Sequence, residues 1–431
     1  MNFEVLKKNH LKRNFLMVVG VIVVIGACIL TFSLAKYRTT QSIPIVNGTI
    51  NYAPYDFKVL AMYQEGESGY VEIDEMPTSG YAINESKSYC TVDNTNKDTN
   101  AKLYTDAQGQ HVFSGLKKNS KCYLYFDEKT IPATDVILAG KDIQTRSSFS
   151  SVVTEQTTNR IYQASDSDGT TYYFAGNPTD NWVNFAGFYW RIIRINGDGT
   201  IRMIYAGTDP NVTTGTGTQI QTSAFNASDN RSEYVGLKYT QGQQHGNTMN
   251  SSIMDILNSW YSSNLTSYAS YIDRNAGFCG DRNTASGYSW TSQSSSSIFY
   301  AAYERLQINK TPSLECSSSD LFTVTGASKG NASLTNPIGL ITADEVAYAG
   351  GVYGTRNDGY YLYTNQIYWT MTPYLVNSYG YASVSAVDSG GYIGNWNVHS
   401  TTGVRPVINL KVDVSLSGSG TSSDPYVVVG A

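Results

Sequence analysis

Tyr189-Trp190-Arg191-Ile192-Ile193-Arg194-Ile195, Asn196-Gly197-Asp198-Gly199 and Thr200-Ile201-Arg202-Met203-Ile204-Tyr205 follow one another directly. Two runs rich in β-branched and aromatic residues thus flank an Asn-Gly-Asp-Gly turn. Asn-Gly and Asp-Gly tolerate positive φ, so the stretch predicts a β-hairpin, with Asp198 as a turn residue and not a metal ligand. The rest of the 431-residue chain has the same character, with 34 tyrosines, 38 glycines and abundant Ser, Thr and Asn. That length has room for two or three domains. Charged residues make up only 15%, with a net charge of -5, which argues against nucleic acid as a partner. Tyr with Ser, Gly and Asn suits an adaptable binding surface, and it equally suits a turn-rich β-protein.

Toward the N-terminus, the run from Phe15 to Leu34 is apolar and free of charge, and Lys7, Lys8, Lys12 and Arg13 precede it. A stretch of about 20 such residues is long enough for a transmembrane helix. The basic flank places the N-terminus in the cytoplasm and the bulk of the chain outside, as a single-pass cell-membrane protein. A cleaved signal peptide, with small residues at Ser33-Leu34-Ala35, is the competing reading. Cysteine usage agrees with export. Cys28 falls in the apolar run, and the other four form two local sets, Cys90 with Cys122 and Cys279 with Cys316, as disulfides would. Zinc is not expected, because no C-x-x-C occurs and the histidines of the exported part are only His111, His245 and His399.

Five segments are expected: a basic tail with its anchor or signal (1–36), a small all-β sandwich acting as a spacer (43–128), a polar linker with a short helix (129–165), an α+β domain (166–411) and a C-terminal strand or tail (412–431). The spacer shows short strand patterns, Phe57 to Tyr63, Gly69 to Ile73, Tyr89 to Val92, Ala101 to Tyr104 and Cys122 to Phe126, separated by turn clusters. In the larger domain, Ile253, Ile256, Leu257 and Trp260 recur at helical spacing after a candidate cap at Asn250 or Ser251. Thr342 and Glu345 fit a capping box, with Asp344 favouring the positive end of the helix dipole.

Tyr360 to Leu410 is the most unusual stretch. Tyr368 to Pro373 reads as a buried strand. Beyond it Ala382, Val384 and Ala386 alternate with Tyr381, Ser383 and Ser385, the period of a half-buried strand with the second set facing out. Asp388-Ser389-Gly390-Gly391 turns the chain, Tyr392 to Ser400 follows as strand or loop, and Thr402 to Leu410 closes the domain.

The stretches "NFAGFYWRIIRINGDGTIRMIY", "PIGLITADEVAYAGG", "YWTMTPYL" and "GVRPVINL" together resemble a C-type-lectin-type ligand-binding domain of bacterial surface proteins. More narrowly they resemble the target proteins of diversity-generating retroelements and their uncharacterised relatives. The resemblance covers about Tyr172 to Leu410. It implies a C-type-lectin-like (formylglycine-enzyme-like) α+β domain and a displayed, diversifiable face from Tyr374 to Thr401. On that face lie Tyr374, Asn377, Tyr379, Tyr381, Ser383, Ser385, Asp388, Tyr392, Asn395, Asn397 and His399, framed by Trp190, Trp369 and Arg405. Formylglycine-type chemistry, which uses cysteines near the end of the domain, is not expected, since no cysteine follows Cys316. Asn395-Trp396-Asn397 is similar to a calcium-binding segment but lacks the nearby carboxylates that hard cations want. No cofactor is therefore expected.

These readings combine into a non-catalytic, membrane-anchored surface protein for adhesion or recognition, with a protein or glycan ligand. Two rivals stand beside it. One is a surface hydrolase using paired carboxylates among Asp344, Glu345 and Asp388. The other is a structural envelope protein. A Ser-His-Asp arrangement would need His245 or His399, and neither lies in a G-x-S-x-G motif.

Overall fold

The computed structural model describes residues 58–431 apart from 67–68, 78–79, 93–95, 107–109 and 129–131. The apolar run 15–34, with the transmembrane helix expected of it, lies outside the described residues.

Lys121–Glu128 organises the first module. It pairs in parallel with Lys58–Gly66 and antiparallel with Tyr81–Ile83 and Tyr89–Thr91, while Gly69–Ile73 pairs with the outer side of Lys58–Gly66. Its alternation sets the two faces of the sheet. Cys122, Leu124 and Phe126 are buried with Met62, Ile83 and Leu103. Tyr123 and Tyr125 take the other face, where they stack on Tyr89 and Tyr63 at 5.1 and 4.8 Å. Cys90 lies directly opposite Cys122 in the register, and the two form a disulfide inside this core. A separate hairpin, Lys102–Thr105 with His111–Ser114, completes the module.

The second module is built on two sheets. The larger has nine strands around the hairpin Phe188–Ile195 and Ile201–Gly207, which turns at Asn196 to Thr200. The smaller has six, running Gln221–Ser223, Thr402–Val404, Tyr368–Val376, Ala382–Val387 and Ile393–Asn397, with Ile298–Phe299 added alongside Tyr368–Val376. One continuous hydrophobic cluster joins them. Trp190 and Trp369 are fully buried, and their indole N–H groups donate to the carbonyls of Phe185 and Ser223. Arg405 is also buried. Its Nε donates to the Tyr205 carbonyl in the larger sheet while its guanidinium stacks 4.7 Å from the Tyr368 ring in the smaller one. One side chain therefore pins both sheets.

The structure corrects the expected α+β class. Strands dominate the described chain, and the longest helix is Ser252–Asn264, of 13 residues. Among the described residues no helix is long and apolar enough to cross a membrane. Helical periodicity is rare in this sequence, whereas β-branched and aromatic runs broken by Gly and Asn turns recur throughout. The helix Ser252–Asn264 buries Ile253, Met254, Leu257 and Tyr261. Ser251 stands at its N-cap, but the hydroxyl donates to the Leu237 carbonyl and leaves the helix uncapped.

Two segments expected to lie outside the larger domain are part of it. From Ala133 onward the expected linker, which does carry a short helix, packs into this domain. The helix Ala133–Leu138 buries Ala133 and Ile137 in the main core, and Asp142–Gln144 is the edge strand beside Arg160–Asp166. The expected C-terminal strand or tail supplies the strands Leu416–Ser417 and Tyr426–Val428, which extend the larger sheet next to Trp182–Phe185.

Candidate ligand-binding face and a charged cleft

The turn between Tyr368–Val376 and Ala382–Val387 carries the most exposed large hydrophobic side chain of the described residues, Tyr379, at 82%. The turn is closed. Asn377 N–H donates to the Tyr381 carbonyl, and Asn377 Oδ1 accepts the amides of Tyr379 and Tyr381 at 2.9 and 3.0 Å. Gly380 takes φ +82°, a left-handed position that glycine fills without strain. Tyr381 is 45% exposed, and its ring lies 6.4 Å from that of Tyr379 at an interplanar angle of 28°. The backbone that carries the two exposed rings is therefore fixed by hydrogen bonds.

Beside this tip, the Asp229 carbonyl accepts the Ala382 amide at 2.7 Å, and its carboxylate accepts Asn397 Nδ2 at 2.8 Å. His399 Nδ1 sits 3.0 Å from Asp229 Oδ2 and 2.7 Å from Asn397 Oδ1. Both facing atoms are acceptors, so Nδ1 is the nitrogen that donates toward them.

The other expected face residues are placed differently. Ser383 and Ser385 are buried, Ser385 at 1%. Their strand is paired on both sides and covered on both faces, so apolar and polar positions are equally enclosed and the expected half-exposed alternation does not hold. Tyr374 is buried too. It stacks on Tyr353 at 5.5 Å, its hydroxyl donates to Gln307 Oε1 at 2.5 Å, and it accepts from Tyr353. Asn395 donates to the Tyr353 hydroxyl. Asp388 holds its own turn by accepting from Ser389, and Tyr392 is half-buried against Gly390. Tyr379, Tyr381, Asn397 and His399 thus form one surface cluster, with Asn377 as its support. Sequence reasoning missed Asp229, which enters from a loop far along the chain. It also left out Trp396, which is 36% exposed; in the register Asn397 faces Ser383 and Trp396 faces Val384, so the two point to opposite faces of the sheet.

A second feature is a charged cleft of about 60 Å³, room for a few waters, between the larger sheet and the loops that bear the Cys279–Cys316 disulfide. Seven carboxylates and four cations line it. Glu345, in the capping box of the helix Ala343–Tyr348, accepts the Thr342 amide and meets Arg202 at 2.5 Å and Arg194 at 3.0 Å. Burial pushes its carboxyl up, but the two guanidiniums outweigh that and hold it below the usual range. Asp344 accepts Arg305 and the Ser313 amide. Asp281 shares Arg305 with Asp344, and burial, reinforced by the Asp344 charge, pushes its carboxyl up to about 6. Both oxygens of Asp344 and both of Glu345 are thus committed to structural partners, and Asp388 does not line the cleft.

Compared with known proteins, the chain matches no family model, no curated protein and no solved structure.

Proposed function

We propose that this is a surface recognition protein, displayed outside the cytoplasm, that binds a protein or glycan ligand through Tyr379, Tyr381, Asn397 and His399 and has no catalytic role. The observation that carries the reading is the 82% exposure of Tyr379 on a turn fixed by Asn377. Leaving a large aromatic in water is unfavourable unless a partner covers it, and a pre-ordered aromatic anchor loses little entropy on binding. Asp229, Asn397 and His399 add donors and acceptors at its edge, the usual complement to an aromatic anchor. Display outside the cytoplasm is supported by the two disulfides and by the basic-then-apolar pattern of residues 7–34. The likeness of the 374–401 stretch to the displayed stretch of retroelement-diversified surface proteins favours the same site. Absence of catalysis is supported by the full commitment of Asp344 and Glu345 to arginines and backbone amides.

The test is a protein and glycan array probed with residues 58–431 and with the Tyr379→Ala/Tyr381→Ala variant. Loss of at least about tenfold in affinity is expected, since exposed aromatic anchors dominate such interfaces. Equal binding by the variant would reject the site.

A further inference from the structure

We propose that Lys141 and Asp180 condense into an intramolecular amide, an isopeptide cross-link that ties the entry of the second module to the loop leading into Trp182–Phe185. Their side chains are 3% and 2% exposed, and Lys141 Nζ contacts Asp180 Oδ2. Among the described residues neither has a second ion-pair partner. The buried Phe174 ring lies 5.7 Å from Nζ. Asp180 Oδ2 also accepts the Asn159 amide at 2.7 Å, whereas Oδ1 is buried with no hydrogen-bond partner. A salt bridge this deep is stable only when its remaining lone pairs are satisfied, and here one oxygen is left bare.

The chemistry follows from that asymmetry. The first step is a proton transfer across the Nζ–Oδ2 contact, from the ammonium to the carboxylate, which gives the amine and the acid that condense. The amine nitrogen attacks Cγ, the N–Cγ bond forms and the Cγ–Oδ1 bond breaks. Two of the three ammonium protons depart with Oδ1 as water, and the third stays on the new amide. No oxidant or co-reactant is needed. Oδ2 remains as the amide carbonyl and keeps the Asn159 N–H, which also steadies its charge in the tetrahedral intermediate. The departing atom is the unpartnered one, so the product leaves no bare oxygen on Asp180.

The covalent loop would span 39 residues and enclose the hairpin Arg160–Asp166 with Gly169–Tyr173. The experiment is intact-mass spectrometry of the reduced full chain, with a tryptic map. The wild type is expected to be one water lighter than its sequence, with no cleavage after Lys141 and one branched peptide joining the Lys141 and Asp180 segments. Lys141→Arg and Asp180→Ala are each expected to recover the full mass. A wild-type chain of full mass that is cleaved after Lys141 overturns the proposal and leaves a buried salt bridge. A missing water that persists in Lys141→Arg overturns it as well. The wild-type measurement decides alone, so a variant that folds poorly does not obscure the result.

Discussion

Asp320 holds Arg282 through two different groups: one carboxylate oxygen accepts the Arg282 backbone amide at 2.7 Å, and the other accepts its Nε at 2.8 Å. Both side chains are fully buried, and Arg282 Nη1 continues to the carbonyls of Lys238 and Gly246. Removing one member strands the other charge in the core. Asp320→Ala is expected to cost about 3–5 kcal/mol in urea unfolding. A change below about 1 kcal/mol would mean that the pair does not organise these loops.

Asp281 and Glu345 should leave opposite signatures in stability against pH. The Asp281 carboxyl is raised from 3.8 to about 6 in the fold, so the folded state holds its proton more tightly than the unfolded chain does. Its contribution is therefore present at low pH and is lost as pH rises from about 4 to 6. Asp281→Asn is expected to gain stability relative to the wild type at pH 7.5 and to show no such gain at pH 4. Glu345 is held low, so its contribution is present above the unfolded value of 4.5 and is lost as pH falls through the lower folded value. Chemical denaturation of Asp281→Asn and Glu345→Gln across pH 3 to 8 distinguishes the two slopes.

The two disulfides should act independently. Cys90–Cys122 lies in the core of the first module, and Cys279–Cys316 borders the cleft of the second. Their closed loops, with separations of 32 and 37 residues, are each expected to contribute roughly 3–4 kcal/mol. Replacing either pair by serine should lower the melting of its own module only, with additive effects in the quadruple variant. Calorimetry showing one coupled loss would contradict this.

Asn377→Ala tests pre-organisation of the aromatic tip. The substitution removes the side-chain oxygen that accepts two backbone amides yet leaves Tyr379 and Tyr381 in place. Stability should fall by about 1 kcal/mol, and ligand affinity by more than that loss alone explains, because the rings must be ordered on binding. Array signals that match the wild type would show that the tip needs no such support.

Local features of this fold were legible in the sequence. The Asn196 to Gly199 turn announces its hairpin, Thr342 and Glu345 announce their capping box, and the four cysteines fall into the two pairs that bond. These depend on neighbours a few residues away or on a small set of partners. Burial of Ser383 and Ser385 was not legible, because alternation tells which side chains share a face and cannot tell that a second layer covers that face. The cleft was equally hidden. Asp166, Arg194, Asp281, Arg305 and Asp344 come from distant segments, and no local pattern links them. The segment after Ala133 is polar because its strand Asp142–Gln144 is an exposed sheet edge, which in sequence is indistinguishable from a linker.

The placement of Tyr426–Val428 against Trp182–Phe185 bears on how the molecule is made. These partners are among the most distant in the second module, and closing so long a loop is entropically slow. A chain emerging from a ribosome or a translocation pore cannot finish its larger sheet until the Tyr426–Val428 strand has emerged. Until then the strand Trp182–Phe185 presents an open edge, and a passing chain with a matching strand could pair with it. Assembly of this module is therefore a late event in biogenesis, with a window in which chaperone cover or rapid release matters most.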